Sequence, residues 1–151
     1  MTQHESDQPT CTMHRALNVV GEKWTFVVLR DVFNGIVRFD DLQEHTGIAR
    51  PVLAKRLATL VEEGLLEQVP YRVEGQRTRS QYQLTPKGRD LYPVLITLRQ
   101  WGDRYLSDAS TPTKINRHKG CGSPVHAVFQ CESGHIIDQM EEIEAMTIVG
   151  V

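Results

Sequence analysis

The chain has 151 residues, 40% of them apolar and 24% charged, with 17 Lys and Arg against 19 Asp and Glu for a formal net charge of −2. That length suits one compact domain with room for a small appendage, and the charge excludes a uniformly basic protein that would adhere to any polyanion. No run approaches the roughly 20 apolar residues that span a bilayer, and the polar start Met1-Thr2-Gln3-His4-Glu5-Ser6-Asp7-Gln8 lacks the basic and apolar regions of a signal peptide. A cytoplasmic protein with no membrane partner is expected. Cysteines at positions 11, 121 and 131 are too few and too scattered for a disulfide framework, and their odd number leaves a free thiol, which agrees with a reducing compartment.

In chain order, Met13 to Val20 carries apolar residues at helical spacing and stops at Gly21. Trp24 to Phe33 is nearly continuous in apolar residues, broken by Thr25, Arg30 and Asp31, and predicts a helix buried on most sides. Phe39 then precedes Asp40 and Asp41, an acidic opening that favours a helix start, and Leu42 to His45 leads to a tight exit at Thr46-Gly47. A fourth helix follows, with Pro51 in its first turn and Gly64 as its stop. Leu53, Leu57, Leu60 and Val61 form its apolar stripe, while Pro51, Lys55, Ala58 and Glu62 fall opposite. The third and fourth helices, joined by a short Gly-containing turn, make a helix-turn-helix pair.

Beyond Gly64, Leu65 to Val69 and Ser80 to Leu84 predict two strands joined by a basic loop that contains Pro70 and Gly75, the hairpin called a wing. Thr85 as N-cap and Pro86 as first residue open a fifth helix of about five turns through Leu91, Val94, Leu95, Leu98, Trp101, Gly102 and Tyr105. Its apolar stripe exceeds what the wing can cover, so part of it is expected to meet a second subunit, with coverage by the first helix as the alternative. The fold class is thus mainly α (α+β): a winged helix-turn-helix with a long C-terminal dimerisation helix and a small C-terminal β-hairpin tail. Local charge is uneven: Tyr71 to Lys87 holds Arg72, Arg77, Arg79 and Lys87 against Glu74, whereas Cys131 to Val151 has five acids and no Lys or Arg. A basic edge near the wing fits a DNA-facing surface, and it equally fits a solvated loop.

Taken together, Cys11, Gly21-Glu22-Lys23-Trp24, Arg38-Phe39-Asp40-Asp41-Leu42, Leu53-Ala54-Lys55-Arg56-Leu57, Glu63-Gly64-Leu65, Tyr82-Gln83-Leu84-Thr85-Pro86-Lys87-Gly88 and Trp101-Gly102 stand in an order that resembles the HxlR-type family of bacterial transcription regulators, relatives of the MarR group. The resemblance covers roughly residues 11 to 107. It implies a homodimer built largely from the first and last helices, with two recognition helices in successive major grooves of a pseudo-palindromic operator. Two departures stand out: Ala49 occupies a position where the family often has a Ser N-cap, a loss of about 1 kcal/mol for which nearby Thr46 is the candidate substitute, and Gln81 stands where many members carry Glu.

Candidate DNA contacts are Arg50, Pro51, Ala54 and Lys55 at the front of the recognition helix, because that end points into the groove. Lys55 and Arg50 suit guanine or phosphate, and Pro51 and Ala54 suit thymine methyls or are filler. Arg56 lies nearer the buried stripe, and the resemblance leaves two roles open for it, an internal pair or a phosphate at the helix flank. Arg77 and Arg79 on the wing suit phosphate or a narrow minor groove. The resemblance also implies a redox or electrophile sensor at Cys11, where a helix N-terminus stabilises thiolate and His14 is close in sequence. A structural cysteine at a dimer interface is the alternative. In the tail, His118 with Cys121 and Cys131 with His135 offer a weak zinc set, since Gly134 replaces the second cysteine of the ribbon-like turn seen in some family members.

The expected organisation is a flexible start at 1–10, the winged domain at 11–107, a linker at 108–116 and a hairpin or zinc-ribbon-like tail at 117–151. The expected function is a dimeric, sequence-specific DNA-binding regulator answering to redox state, electrophiles or a small-molecule effector. A winged-helix module that binds protein or bends DNA without sequence readout is the alternative. An enzyme is not expected, for the chain has no phosphate loop, nucleophile elbow or metal-hydrolase helix motif, and no motif calls for a cofactor.

Overall fold

The computed structural model of the protein describes residues 11–110 and 114–146. The expected flexible start at 1–10, part of the expected linker at 111–113 and the end of the tail at 147–151 lie outside the described residues. Two compact units divide the chain between Leu95 and Ile96.

The first unit holds α1 (Thr12–Val20), α2 (Lys23–Phe33), α3 (Phe39–Thr46), α4 (Arg50–Glu62), the strands β1 (Leu66–Tyr71) and β2 (Arg79–Leu84), and α5 (Pro86–Arg89). Glu22 caps α2 by accepting a 2.9 Å hydrogen bond from the Trp24 N–H. Asp40 and Asp41 place negative charge at the positive end of α3, and Gly47, at φ 68°, turns the chain out of it through the left-handed region that a side chain would strain. Ile48 buries itself in that turn, and α4 starts two residues later. Val28, Leu29 and Val32 of α2, Leu42 of α3, Leu53, Leu57 and Leu60 of α4, and Leu65 and Leu66 at the wing form one buried cluster. Each such side chain contributes about 1.5–3 kcal/mol over exposure, so the helix-turn-helix pair is fixed chiefly by α2 packing beneath it.

One charged residue sits inside this core. Asp31 has no solvent exposure, and its two carboxylate oxygens meet Arg30 Nε at 2.8 Å and His45 Nδ1 at 2.6 Å. It ties α2 to the last turn of α3 by a charge-assisted contact rather than by apolar packing.

The wing pairs β1 with β2 antiparallel from Leu66 opposite Leu84 to Tyr71 opposite Arg79. Arg38 bridges to Gln81 on the other side of β2, supported by a 2.8 Å bond from the Tyr82 N–H to the Val37 carbonyl. β1 is therefore an edge strand, which explains how Pro70, expected in the loop, instead lies inside it opposite Ser80. Gln81 serves this bridge through its backbone.

The expected fifth helix of about five turns is broken. α5 ends at Arg89, and α6 runs Tyr92–Tyr105 after two turn residues. Pro93 is the cause: it has no N–H for the Arg89 carbonyl and its ring would clash there, so a single helix cannot pass through it. The apolar periodicity of Leu91, Val94 and Leu95 continues across the break and conceals it in the sequence. Thr85 caps α5 as expected, accepting from the Gly88 N–H at 3.0 Å while its hydroxyl donates to the Gly64 carbonyl at 2.5 Å.

The second unit comprises α6 from Ile96 onward and the tail. Gln100 holds the tail chain with both ends of its amide, donating to the Val125 carbonyl at 3.0 Å and accepting from the Ala127 N–H at 3.3 Å. β3 (Phe129–Gln130) pairs with β4 (Ile136–Ile137), and a short 3-10 turn spans Met140–Glu142. The tail is a hairpin, but it does not close on its own apolar residues: Val128, Phe129 and Ile136 are all exposed, Phe129 by 68%.

Candidate nucleic-acid interface

The face of α4 opposite its buried leucines presents Arg50, Pro51, Ala54, Lys55 and Ala58 to solvent. Ala49 caps the helix without a side-chain bond. Thr46 does not replace that cap: its hydroxyl donates to the Leu42 carbonyl at 2.6 Å and accepts from the Ile48 N–H at 3.3 Å, so it serves the turn. The first turn of α4 thus keeps open N–H groups beside an exposed arginine, an arrangement that suits a phosphate.

Arg50 and Arg79, one from α4 and one from β2, converge on Asp40 of α3. Arg50 Nη1 lies 2.9 Å from one carboxylate oxygen of Asp40 and Arg79 Nη1 lies 3.7 Å from the other. The Arg50 guanidinium also covers the Phe39 ring at 4.7 Å, and Arg38 covers Tyr71 at 4.6 Å. These side chains surround a cleft of about 280 Å³ that also reaches Ser80 and Tyr82. Burial raises the Tyr82 hydroxyl above its ordinary pKa, so it stays a neutral donor there. The sequence treated Asp40 only as a helix opening and passed over Arg38, Phe39 and Tyr71 as site residues. The local signal was Arg38-Phe39 directly before Asp40, whereas Arg50, Tyr71 and Arg79 reach the site through the packing of other elements.

Arg56 is paired within the fold. Its side chain is 15% exposed, with Nε 2.9 Å from Glu22 Oε2, the same oxygen that caps α2. The Nε atom is buried and its N–H is not aligned for a hydrogen bond, so the contact is an ion pair rather than a directed bond. Of the two roles left open for Arg56, the internal pair is the one present in the structure, with Glu22. Lys87 is similarly committed: its Nζ donates at 2.6 Å to the Glu63 carbonyl at the C-terminal end of α4, where a cation is favoured. Lys55 and Arg77 are exposed and make no ion pair among the described residues.

Cys11 is the exposed N-cap residue of α1 and makes no side-chain cap bond. In the tail, His118 Nδ1 lies 3.3 Å from Cys121 Sγ and His135 Nδ1 lies 3.5 Å from Cys131 Sγ. Among the described residues no three His, Cys, Asp or Glu side chains converge on one metal-sized point, so the four candidate ligands stand as two separate thiol–imidazole pairs. Hydrogen bonds from Ser123, and then from His118, pull the exposed Cys121 thiol down to about 7.

A helix-turn-helix whose second helix shows a polar, basic face beside an arginine-bearing wing defines a DNA-binding regulator. The chain belongs to the HxlR-like helix-turn-helix family, whose profile matches residues 19–110. It is 46% identical over 108 residues to an HTH-type transcriptional regulator of Mycobacterium tuberculosis, Rv3095, covering 72% of this chain and 67% of that protein. The crystal structure of PA1607, described as a candidate transcription factor, is similar over 92% of this chain and 96% of that one, with TM-score 0.81 and 32% identity. The redox regulator HypR in its reduced form shares the fold at TM-score 0.56 and 24% identity over 62% of this chain and 92% of that one. The protein is a transcriptional regulator of helix-turn-helix type. Among the described residues no helix is long and apolar enough to cross a membrane.

Proposed function

We propose that the protein is a cytoplasmic homodimer that binds a pseudo-palindromic double-stranded operator, placing α4 in the major groove and the wing on the flanking backbone. Residues 11–107 carry this activity, and 108–116 link it to the tail at 117–151. Arg50, Pro51, Ala54 and Lys55 face the bases and adjacent phosphates, while Arg77 and Arg79 take phosphate or the minor groove. The observation that carries this reading is the exposed face of α4 with Lys55, which has no ion-pair partner among the described residues, on its N-terminal half. Dimerisation is supported by large apolar side chains left on the surface of α1, at Met13 and Leu17, and of α6, at Leu98, Trp101 and Tyr105. Anisotropy with a duplex from the protein's own promoter is expected to show binding by a dimer, with affinity falling steeply and linearly in log salt. Equal affinity for that duplex and one of scrambled sequence would instead make the protein an architectural module.

Control of binding by oxidants, electrophiles or a small-molecule effector belongs to the same reading, with Cys11 as the sensing thiol. Its exposure at the first helix supports this, as does the shared fold with HypR, named a redox regulator. Cys11→Ser is expected to abolish release of DNA by oxidant while the dimer persists in native mass spectrometry. An unaltered oxidant response removes Cys11 from that role.

A further inference from the structure

We propose that Asp40 is a built-in competitor for DNA phosphate, holding Arg50 of the recognition helix and Arg79 of the wing on one carboxylate in the free protein and releasing both when DNA arrives. This rests on the DNA-binding reading above. The two guanidiniums come from different elements and, among the described residues, share one ion-pair partner, Asp40, each on its own oxygen, at 2.9 and 3.7 Å. Carboxylate and phosphate oxygens are alternative partners for the same guanidinium N–H groups, so one can exchange for the other without rebuilding the site. All three side chains are exposed, 60% for Asp40, 62% for Arg50 and 58% for Arg79, which keeps the internal pairs weak enough to exchange. The Phe39 ring beneath Arg50 keeps that guanidinium at the cleft when its carboxylate partner is lost, and the cleft has room for a phosphate group.

The consequence is a limit on indiscriminate binding. Two of the arginines at the DNA-facing edge are partly neutralised in the free protein, and the Asp40 charge stays beside any phosphate that replaces it. DNA of any sequence must overcome both effects, and only a sequence that adds base contacts gains enough to be held.

The test compares the full-length protein with Asp40→Asn, binding a duplex of arbitrary sequence by anisotropy across a salt series. Asp40→Asn is expected to bind about three- to tenfold tighter at 0.1 M salt, the sum of two weak exposed pairs. Its log affinity against log salt is expected to steepen by about one. Asp40→Glu should stay near wild type, and so should Glu44→Gln, which makes the same charge change on α3 outside the cleft and without an arginine partner among the described residues. In a background lacking both arginines, Arg50→Ala with Arg79→Ala, Asp40→Asn should lose most of the gain, and Arg79→Ala alone should remove the smaller part of it. Unchanged or weaker binding by Asp40→Asn, or an equal gain from Glu44→Gln, overturns the proposal. Failure of the wild type to bind any duplex overturns the DNA-binding reading itself. Thermal melting separates a folding defect from either outcome, and if Asp40→Asn is unfolded, the Asp40→Glu and Asp40→Ala variants decide by whether affinity follows the charge.

Discussion

Replacing Gly88 by Ala is expected to lower the stability of the first unit by about 3 kcal/mol, at the upper end of what overpacking costs. A Cβ at position 88 would sit 2.1 Å from the Leu65 carbonyl oxygen, 3.0 Å from its carbon and 3.2 Å from Leu84 Cδ2. Two of these three atoms are backbone, so no rotamer change relieves the overlap. Leu65 lies where α4 hands over to the wing, and its carbonyl accepts from the Thr85 N–H at 3.1 Å. Pushing that carbonyl away disturbs the cap of α5 and the base of the hairpin together. The helix propensity that Ala gains, about 1 kcal/mol, applies in a four-residue helix and cannot offset a backbone collision. Urea unfolding followed by tryptophan fluorescence measures the difference, and a midpoint equal to wild type would mean that α5 can move off Leu65 freely. Because the clash lies at the joint between recognition helix and wing, a partly folded variant should also lose DNA affinity.

The elements legible in the sequence are those governed by local geometry. The buried stripe of α4 follows from the spacing of Leu53, Leu57 and Leu60, and the turn before it from Gly47, because helical period and positive φ are properties of neighbouring residues. Pro93 was equally local, yet the apolar period through Leu91, Val94 and Leu95 outweighed it, and the long helix read from that period is two helices. What the sequence does not reveal is which charges are spent on the fold. Arg56 finds Glu22, Asp31 finds His45, and Asp40 gathers Arg50 and Arg79, all through the packing of one element on another. A basic residue on the exposed face of a helix looks the same whether its partner is a carboxylate or a phosphate. In the tail, the Cys and His spacing is local and legible, while convergence of the two pairs on a metal depends on the path of the chain between them.

Sorting the charges in this way singles out Lys55. Lys55→Ala is expected to weaken operator binding by about 1–3 kcal/mol per half-site, the discrimination carried by a good base contact, and a dimer counts that loss twice. Arg50 meets DNA only after leaving Asp40, and Arg56 is paired with Glu22, whereas Lys55 has no ion-pair partner among the described residues and lies on the exposed face of α4, one turn in from the helix start. That position is where a recognition helix reaches base edges. The lysine ammonium donates to guanine acceptors in the groove, and the alanine side chain offers no replacement. Binding to duplex of arbitrary sequence should fall far less than binding to the operator, so the ratio of the two affinities is the quantity to measure, at one fixed salt concentration. A uniform loss with a salt slope shallower by about one would place Lys55 on a phosphate instead. Unchanged affinity for both duplexes would mean that α4 does not enter the groove by its N-terminal half, and the contact set built on Arg50, Pro51 and Ala54 would fall with it.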